Sequence, residues 1–420
     1  MPAPGAAAGS QRVFLHVGPP KTGTTYVQSV LWTNRKDLRE AGVLLPGRGR
    51  TAHFSASGDL RGRVKARGGG GGRLTGRWDR LAAEVRDWPG TSVISCEWLA
   101  PASDQQIARA LASFGSAEVH VVATLRDLGR VVPAVWQEQV KNGKSFTMSE
   151  FLDLLAHPAP DSYGELFWSV QDPRQMLGRW GRHLPPDRVH VVTLPGSGAA
   201  PDELWTRFSS LFLSDSSDSS AYDTTSVRAN PGLDPAAAEL LRRVNADLGG
   251  RMRRASHSPL VKQLLHGELT KEQSGRKTRL PVEAVAPIAA TAQAAVEWLR
   301  GSGHDVVGEL DELGVDTTPR ETSLPEDSPE DEVSRAAVHA MTALLLTMQA
   351  DGAHKRKVWR NQDGADQSGG PSDSEAPAES DASPSGGPVT PRARALSVAR
   401  RATRVGRRAA GAARRRVAGG

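Results

Sequence analysis

Three clusters of polar residues in this 420-residue chain have types and spacings that could do chemistry. The first is Gly18-Pro19-Pro20-Lys21-Thr22-Gly23-Thr24-Thr25, which follows the apolar residues 13–17 and precedes a helix-forming stretch over 26–31. A tight turn between a buried strand and a helix leaves the first helical N–H groups unpaired and pointing outward, where they attract an anion. Lys21 adds a point charge, and Thr24 and Thr25 add hydroxyl donors. The pattern is a phosphate cradle but not the Walker A loop, which places Lys directly after its last Gly and before Ser or Thr. Here Lys21 comes two residues before Gly23. The second cluster is Leu125-Arg126-Asp127, delivered by the apolar run 118–125. The third holds two candidate bases: Glu97, at the end of Ser92-Val93-Ile94-Ser95-Cys96, and His53, in Ala52-His53-Phe54.

The elements that must position these residues read as an α/β chain. Apolar strands are expected at 13–17, 43–45, 92–96, 118–125 and 188–193. Helices are expected at 26–31, 78–87, 102–114, after Asp127 to Gln139, from Phe151, and at 175–183, 201–213, 235–248, 258–269 and 281–299. Such alternation predicts a parallel sheet covered on both faces, a three-layer arrangement with a P-loop-like phosphate-binding turn. Ligands bind such sheets beyond the carboxyl ends of the strands, so the loops after Val17, Cys96 and Leu125 should converge on one cleft. Residues 51–63, with His53, read as a loop able to cover an acceptor. The five glycines 68–72 read as a surface insertion.

Pro20-Lys21-Thr22-Gly23-Thr24-Thr25 after an apolar strand resembles the 5′-phosphosulfate loop of sulfotransferases that use 3′-phosphoadenosine-5′-phosphosulfate (PAPS). Arg126 after its strand is similar to that family's 3′-phosphate motif, in which a Ser follows the Arg by eight residues; Ala134 stands there in this chain. Arg130, one helical turn before Ala134, is the nearest replacement. The resemblance implies sulfuryl transfer to a hydroxyl or amine, with the 5′-phosphosulfate on Pro20, Lys21, Thr22, Gly23, Thr24 and Thr25, and the 3′-phosphate by Arg126 and Ala134. Lys21 would answer the charge that builds on the bridging oxygen. Glu97 is the favoured base, with His53 as its rival. No metal is implied, and the acceptor could be a small molecule, a lipid or a carbohydrate. Two other readings remain open: a P-loop kinase or nucleotide hydrolase, with Asp127 toward Mg²⁺, and a non-catalytic nucleotide-binding scaffold.

Composition bounds the rest. The net charge of +6 comes from the end of the chain: residues 391–420 hold ten Arg and no acids, residues 361–390 hold six acids and no Lys or Arg, and residues 1–360 carry only +2. No nucleic-acid argument therefore attaches to the folded part. A folded domain over 11–315 is expected, then a linker at 316–331, a further helix at 332–350, a disordered acidic Ser/Pro/Gly segment at 361–390 and the Arg-rich tail. That tail suits an anionic membrane surface or another polyanion. The single cysteine, Cys96, excludes an internal disulfide framework and a multi-cysteine metal site. Residues 1–10 lack the features of a signal peptide, and 336–349 is too short to span a bilayer. These features point to a cytoplasmic protein with a peripheral membrane role left to the tail.

Overall fold

The structure, a computed structural model, describes residues 11–62, 76–196, 198–213, 219–226, 232–271, 275–318 and 324–366. The glycine run, residues 319–323 of the linker and the tail beyond 366 lie outside the described residues, and so do the expectations attached to them. Two compact units are present. The first draws on Met1–Trp136, Thr147–Pro231 and Thr278–Leu324, the second on Gln137–Phe146, Gly232–Lys277 and Pro325–Gly420.

The first unit is built on a six-stranded, all-parallel sheet. Its strands are β1 (Arg12–Gly18), β2 (Val43–Leu44), β3 (Thr91–Ser95), β4 (Glu118–Leu125), β5 (Val189–Thr193) and β6 (Asp305–Val307), in the spatial order β2-β3-β1-β4-β5-β6. Strand alternation divides the core. Val13, Leu15 and Val17 face one cluster with Trp78, Ile107, Met176, Trp180 and Leu299, whereas Phe14 faces another with Val27, Leu31, Trp205 and Phe208. Helices thus cover both faces of the sheet.

The chain runs outward from β1 to β2, returns to β3 on one side of β1, and then crosses to β4 on the other. That reversal beside β1 is where a parallel sheet opens a crevice at its carboxyl edge. The β1–β4 register shifts between His16 and Gly18, as the chain leaves the sheet for the turn.

Several elements differ from the sequence reading. The helices Arg35–Glu40 and Tyr163–Gln171 were not expected. The helix expected at 332–350 runs over Glu330–Asp366 and so takes in residues 361–366, expected to be disordered. Two further differences bear on the site and the sheet. Residues Arg50–Leu60 form a helix, not a loop, and His53 is buried in it. Its Thr, Ser and Gly content hides a helix whose Ala56 and Leu60 pack into the core. The edge strand β6 was not expected; three residues are too few to show alternation.

In the second unit, Asp234 caps the helix Pro235–Leu248 through the Ala237 N–H at 2.9 Å. Asn245 on that helix donates to the carbonyls of Val140 (2.7 Å) and Lys144 (3.0 Å). Gln137 donates to the Leu233 carbonyl at 2.7 Å and accepts the Leu233 N–H at 3.1 Å. A long helix, Glu330–Asp366, turns Val333 and Ala340 inward and joins Arg243 through Glu330 at 2.8 Å. Among the described residues, no helix is long and apolar enough to cross a membrane.

Candidate functional site

The turn after β1 is an unusual stretch of backbone. Gly18, Lys21 and Gly23 all have left-handed φ values, +101°, +71° and +88°. A non-glycine residue in that region is uncommon and worth a functional question. Gly23 caps the helix Thr24–Thr33, which has no side-chain cap and no acid in its first turn. No acid of the helix's own first turn therefore competes with an external anion for its backbone N–H groups. A side chain at Gly23 would be strained at that φ and would also press on the side-chain ends of Leu204 and Leu194, so the turn favours glycine.

A buried row of hydrogen bonds ties this turn to the sheet. Thr22 Oγ1 donates to the Pro19 carbonyl at 2.6 Å and lies 2.8 Å from Thr124 Oγ1; Thr124 Oγ1 lies 3.1 Å from His16 Nε2, and His16 Nδ1 lies 2.7 Å from Ser95 Oγ. A carbonyl can only accept, and each hydroxyl has one proton. The row therefore has a single polarity: Ser95 donates to His16, His16 Nε2–H to Thr124, Thr124 to Thr22, and Thr22 to Pro19. His16 is held as the neutral Nε2–H tautomer, in keeping with burial, which pushes its pKa down to about 3. β1, β3 and β4 each contribute to this support, and Gln171 adds to it by donating to the Pro20 carbonyl at 3.0 Å.

Glu97 follows β3 and lies against the turn. Its Cα and Cβ are each 3.0 Å from where a Cβ on Gly18 would stand, so a side chain at Gly18 would displace it. Gln28, on the helix after the turn, donates to Glu97 Oε2 at 2.8 Å and orients the carboxylate. The adjacent Trp98 is 38% exposed, and its ring lies 4.5 Å from that of Phe54, which is 44% exposed. Sequence reasoning missed this aromatic pair because Phe54 lies on a helix it read as a loop. It missed Gln28 and Gln171 because nothing local marks a residue whose partner is 69 or 151 positions away.

Arg126 leaves β4 toward the same turn and donates to the Lys21 carbonyl at 3.5 Å. Its Nε is buried without a hydrogen-bond partner, and among the described residues it forms no ion pair. Burial foremost, then the neighbouring Arg130, lowers its pKa, so a bound anion would relieve both. Arg130 is committed elsewhere: its backbone N–H and Nε both donate to Asp127, at 3.0 and 2.5 Å. Ala134 is half-buried on the helix Leu128–Lys141 and offers only a methyl group.

His53 is placed otherwise than a loop base would be. Its Nε2 donates to the Pro46 carbonyl at 3.0 Å and its Nδ1 accepts the Ser95 N–H at 3.2 Å, so both ring nitrogens are taken. Burial pushes its pKa down to about 4. Cys96 is likewise buried, and burial, then Glu97, pushes its thiol up to about 12. Among the described residues, no group of His, Cys, Asp and Glu has the arrangement of a metal site.

No family model, no curated protein and no solved structure matches the chain.

Proposed function

We propose that this chain is a PAPS-dependent sulfotransferase. The observation that carries the reading is Arg126, its buried Nε without a partner, reaching the carbonyl of Lys21 in an uncapped turn that Glu97 abuts. Donor, leaving group and acceptor proton each find a residue suited to them within this one neighbourhood. The turn Pro20–Thr25 holds the 5′-phosphosulfate through its N–H groups and the hydroxyls of Thr24 and Thr25. Lys21 neutralises the charge that grows on the bridging oxygen as the S–O bond breaks. Arg126 takes the 3′-phosphate. Glu97 accepts the proton of the acceptor hydroxyl or amine as its oxygen or nitrogen bonds to sulfur, leaving 3′-phosphoadenosine-5′-phosphate and the sulfated product. His53, with both nitrogens occupied, holds the backbone of β3 in place. The exposed rings of Trp98 and Phe54, next to Glu97, suit an acceptor with an apolar or ring face.

Calorimetric titration tests this reading. 3′-Phosphoadenosine-5′-phosphate is expected to bind more tightly than ATP, and Arg126→Ala to weaken that binding roughly ten- to a hundredfold, the worth of a charged hydrogen bond. Preference for ATP would favour the kinase or hydrolase reading. Equal affinity in wild type and Arg126→Ala would remove Arg126 from the site.

A further inference from the structure

The helix Thr24–Thr33 carries Thr25, Gln28 and Ser29 on one side, one turn apart. Gln28 holds Glu97, and its neighbour Ser29 holds Arg50. The Ser29 hydroxyl donates to the Thr25 carbonyl at 2.8 Å and so accepts from Arg50 Nη2 at 2.9 Å; the same nitrogen reaches the Thr25 carbonyl at 3.5 Å. Arg50 begins the helix Arg50–Leu60, and Phe54, one turn on, lies against Trp98, the residue after Glu97. The contacts close a circuit: Glu97, Gln28, Ser29, Arg50, Phe54, Trp98 and back to Glu97. Arg50 is exposed, and among the described residues it meets no carboxylate. Neighbouring acids are spent on backbone: Asp59 accepts the N–H groups of Arg77 and Trp78 at 2.7 and 3.0 Å, and Glu84 accepts that of Gly47 at 2.7 Å. A guanidinium held by two neutral oxygens, its charge unanswered, is a ready receptor for a planar or tetrahedral anion.

We propose, resting on the transferase reading above, that this circuit is the acceptor subsite and that it selects a ring-bearing acid. Phe54 and Trp98 take the face of the ring, Arg50 takes a carboxylate, phosphate or sulfate group on it, and the hydroxyl or amine to be sulfated lies at Glu97. Strand order separates this subsite from the donor's. Arg126 follows β4 on one side of the β1 turn, whereas Trp98 follows β3 and Arg50 follows β2 on the other. The donor's anions are answered by the turn, Lys21 and Arg126, which leaves Arg50 to an anion of the acceptor. Arg50 and Phe54 stand about 6 Å apart along their helix, so the acid group and the ring are separated by no more than a short linker. The two aromatic rings meet at 59°, a corner that grips one face and one edge of a flat or chair-shaped ring.

Ligand-observed NMR titration of the full chain, saturated with 3′-phosphoadenosine-5′-phosphate, tests the proposal with matched acids and amides. The probes are 4-hydroxyphenylacetate with its amide, and glucuronate with glucuronamide; the pair that binds tells an aryl ring from a sugar ring. The acid is expected to bind more tightly than its amide. Arg50→Gln should weaken the acid about five- to thirtyfold and erase that preference, between the worth of an exposed ion pair and of a charged hydrogen bond. Phe54→Ala should weaken acid and amide alike. Both side chains face solvent, so circular dichroism should show the fold retained. An amide that binds as well as its acid, a preference that survives Arg50→Gln, or no binding of any probe overturns the proposal. So does an Arg50→Gln variant whose loss is in nucleotide affinity, which assigns Arg50 to the donor. A chain that keeps the Arg50-dependent preference for the acid yet binds no 3′-phosphoadenosine-5′-phosphate strikes the transferase reading alone.

Discussion

Replacing Thr124 by Val tests the support beneath the turn. The two side chains have nearly the same shape, so the change removes one hydroxyl and leaves the packing of β4 intact. In the row from Ser95 to Pro19, Thr124 accepts from His16 and donates to Thr22. Its loss leaves the His16 Nε2–H facing a methyl group in a fully buried site. A buried donor without an acceptor costs about 1–3 kcal/mol, and the lost bond to Thr22 adds about 1 kcal/mol. The expected destabilisation is therefore about 2–4 kcal/mol, a large fraction of the stability of an ordinary domain. Urea unfolding should show it as a lower midpoint at unchanged slope. Thr124→Ser, which keeps the hydroxyl, should lose far less and serves as the control. In the wild type, imidazole ¹⁵N shifts should report His16 as the neutral Nε2–H tautomer. A Val variant within about 0.5 kcal/mol of wild type, or an Nδ1–H tautomer for His16, would refute the polarity assigned to the row.

Glu97→Gln should keep nucleotide affinity while sulfate transfer falls by about 10²–10⁴-fold, as expected for a lost general base. His53→Gln should act mainly on stability, and a larger loss of transfer rate from His53 than from Glu97 would exchange their roles. Acid should destabilise the chain through two histidines. The pKa of His16 lies near 3 and that of His53 near 4 in the folded chain, below the usual 6.5. The unfolded chain therefore binds protons that the folded chain excludes, so this stability is intact above pH 6.5 and is lost as pH falls toward 4. With both sites contributing, the slope approaches about 2.7 kcal/mol per pH unit. In His53→Gln, denaturant midpoints measured from pH 7 to 4.5 should fall at about half that contribution, and an unchanged pH dependence would contradict the burial argument.

Much of this fold could be read from the sequence because its strands are written locally. Val119, Val121, Val122 and Ala123 make β4 legible without any partner, and Glu118–Leu125 is found where the apolar run predicts it. That the chain turns between β1 and the helix Thr24–Thr33 was legible as well, since Gly and Pro there end a strand. What escaped notice was non-local or weakly written. The helix at Arg50–Leu60 is encoded by residues of poor helix propensity, and only tertiary packing makes it a helix. Burial of that helix took His53 away from solvent, which no local pattern foretells. The row through His16 depends on strand register, which sets Ser95 beside it on β3 and brings Thr124, 108 residues on, to its other nitrogen.

The interleaving of the two units has a consequence for how the chain is made. Each unit draws on three separated stretches, so no single cut in the chain yields either one whole. As the chain is synthesised from its N-terminus, β1 to β4 can pair by residue 125 and β5 can join by 193, but β6 is not available until 305–307. At ordinary translation rates the outer edge of β5 waits roughly 5–20 seconds for its neighbour. An open, apolar strand edge is a template for pairing with the wrong chain. The helix Glu330–Asp366, needed by the second unit, arrives later still. Fragments ending before residue 305 should thus collect as aggregates even though they carry every residue of the turn, and the nascent chain needs protection over that same interval.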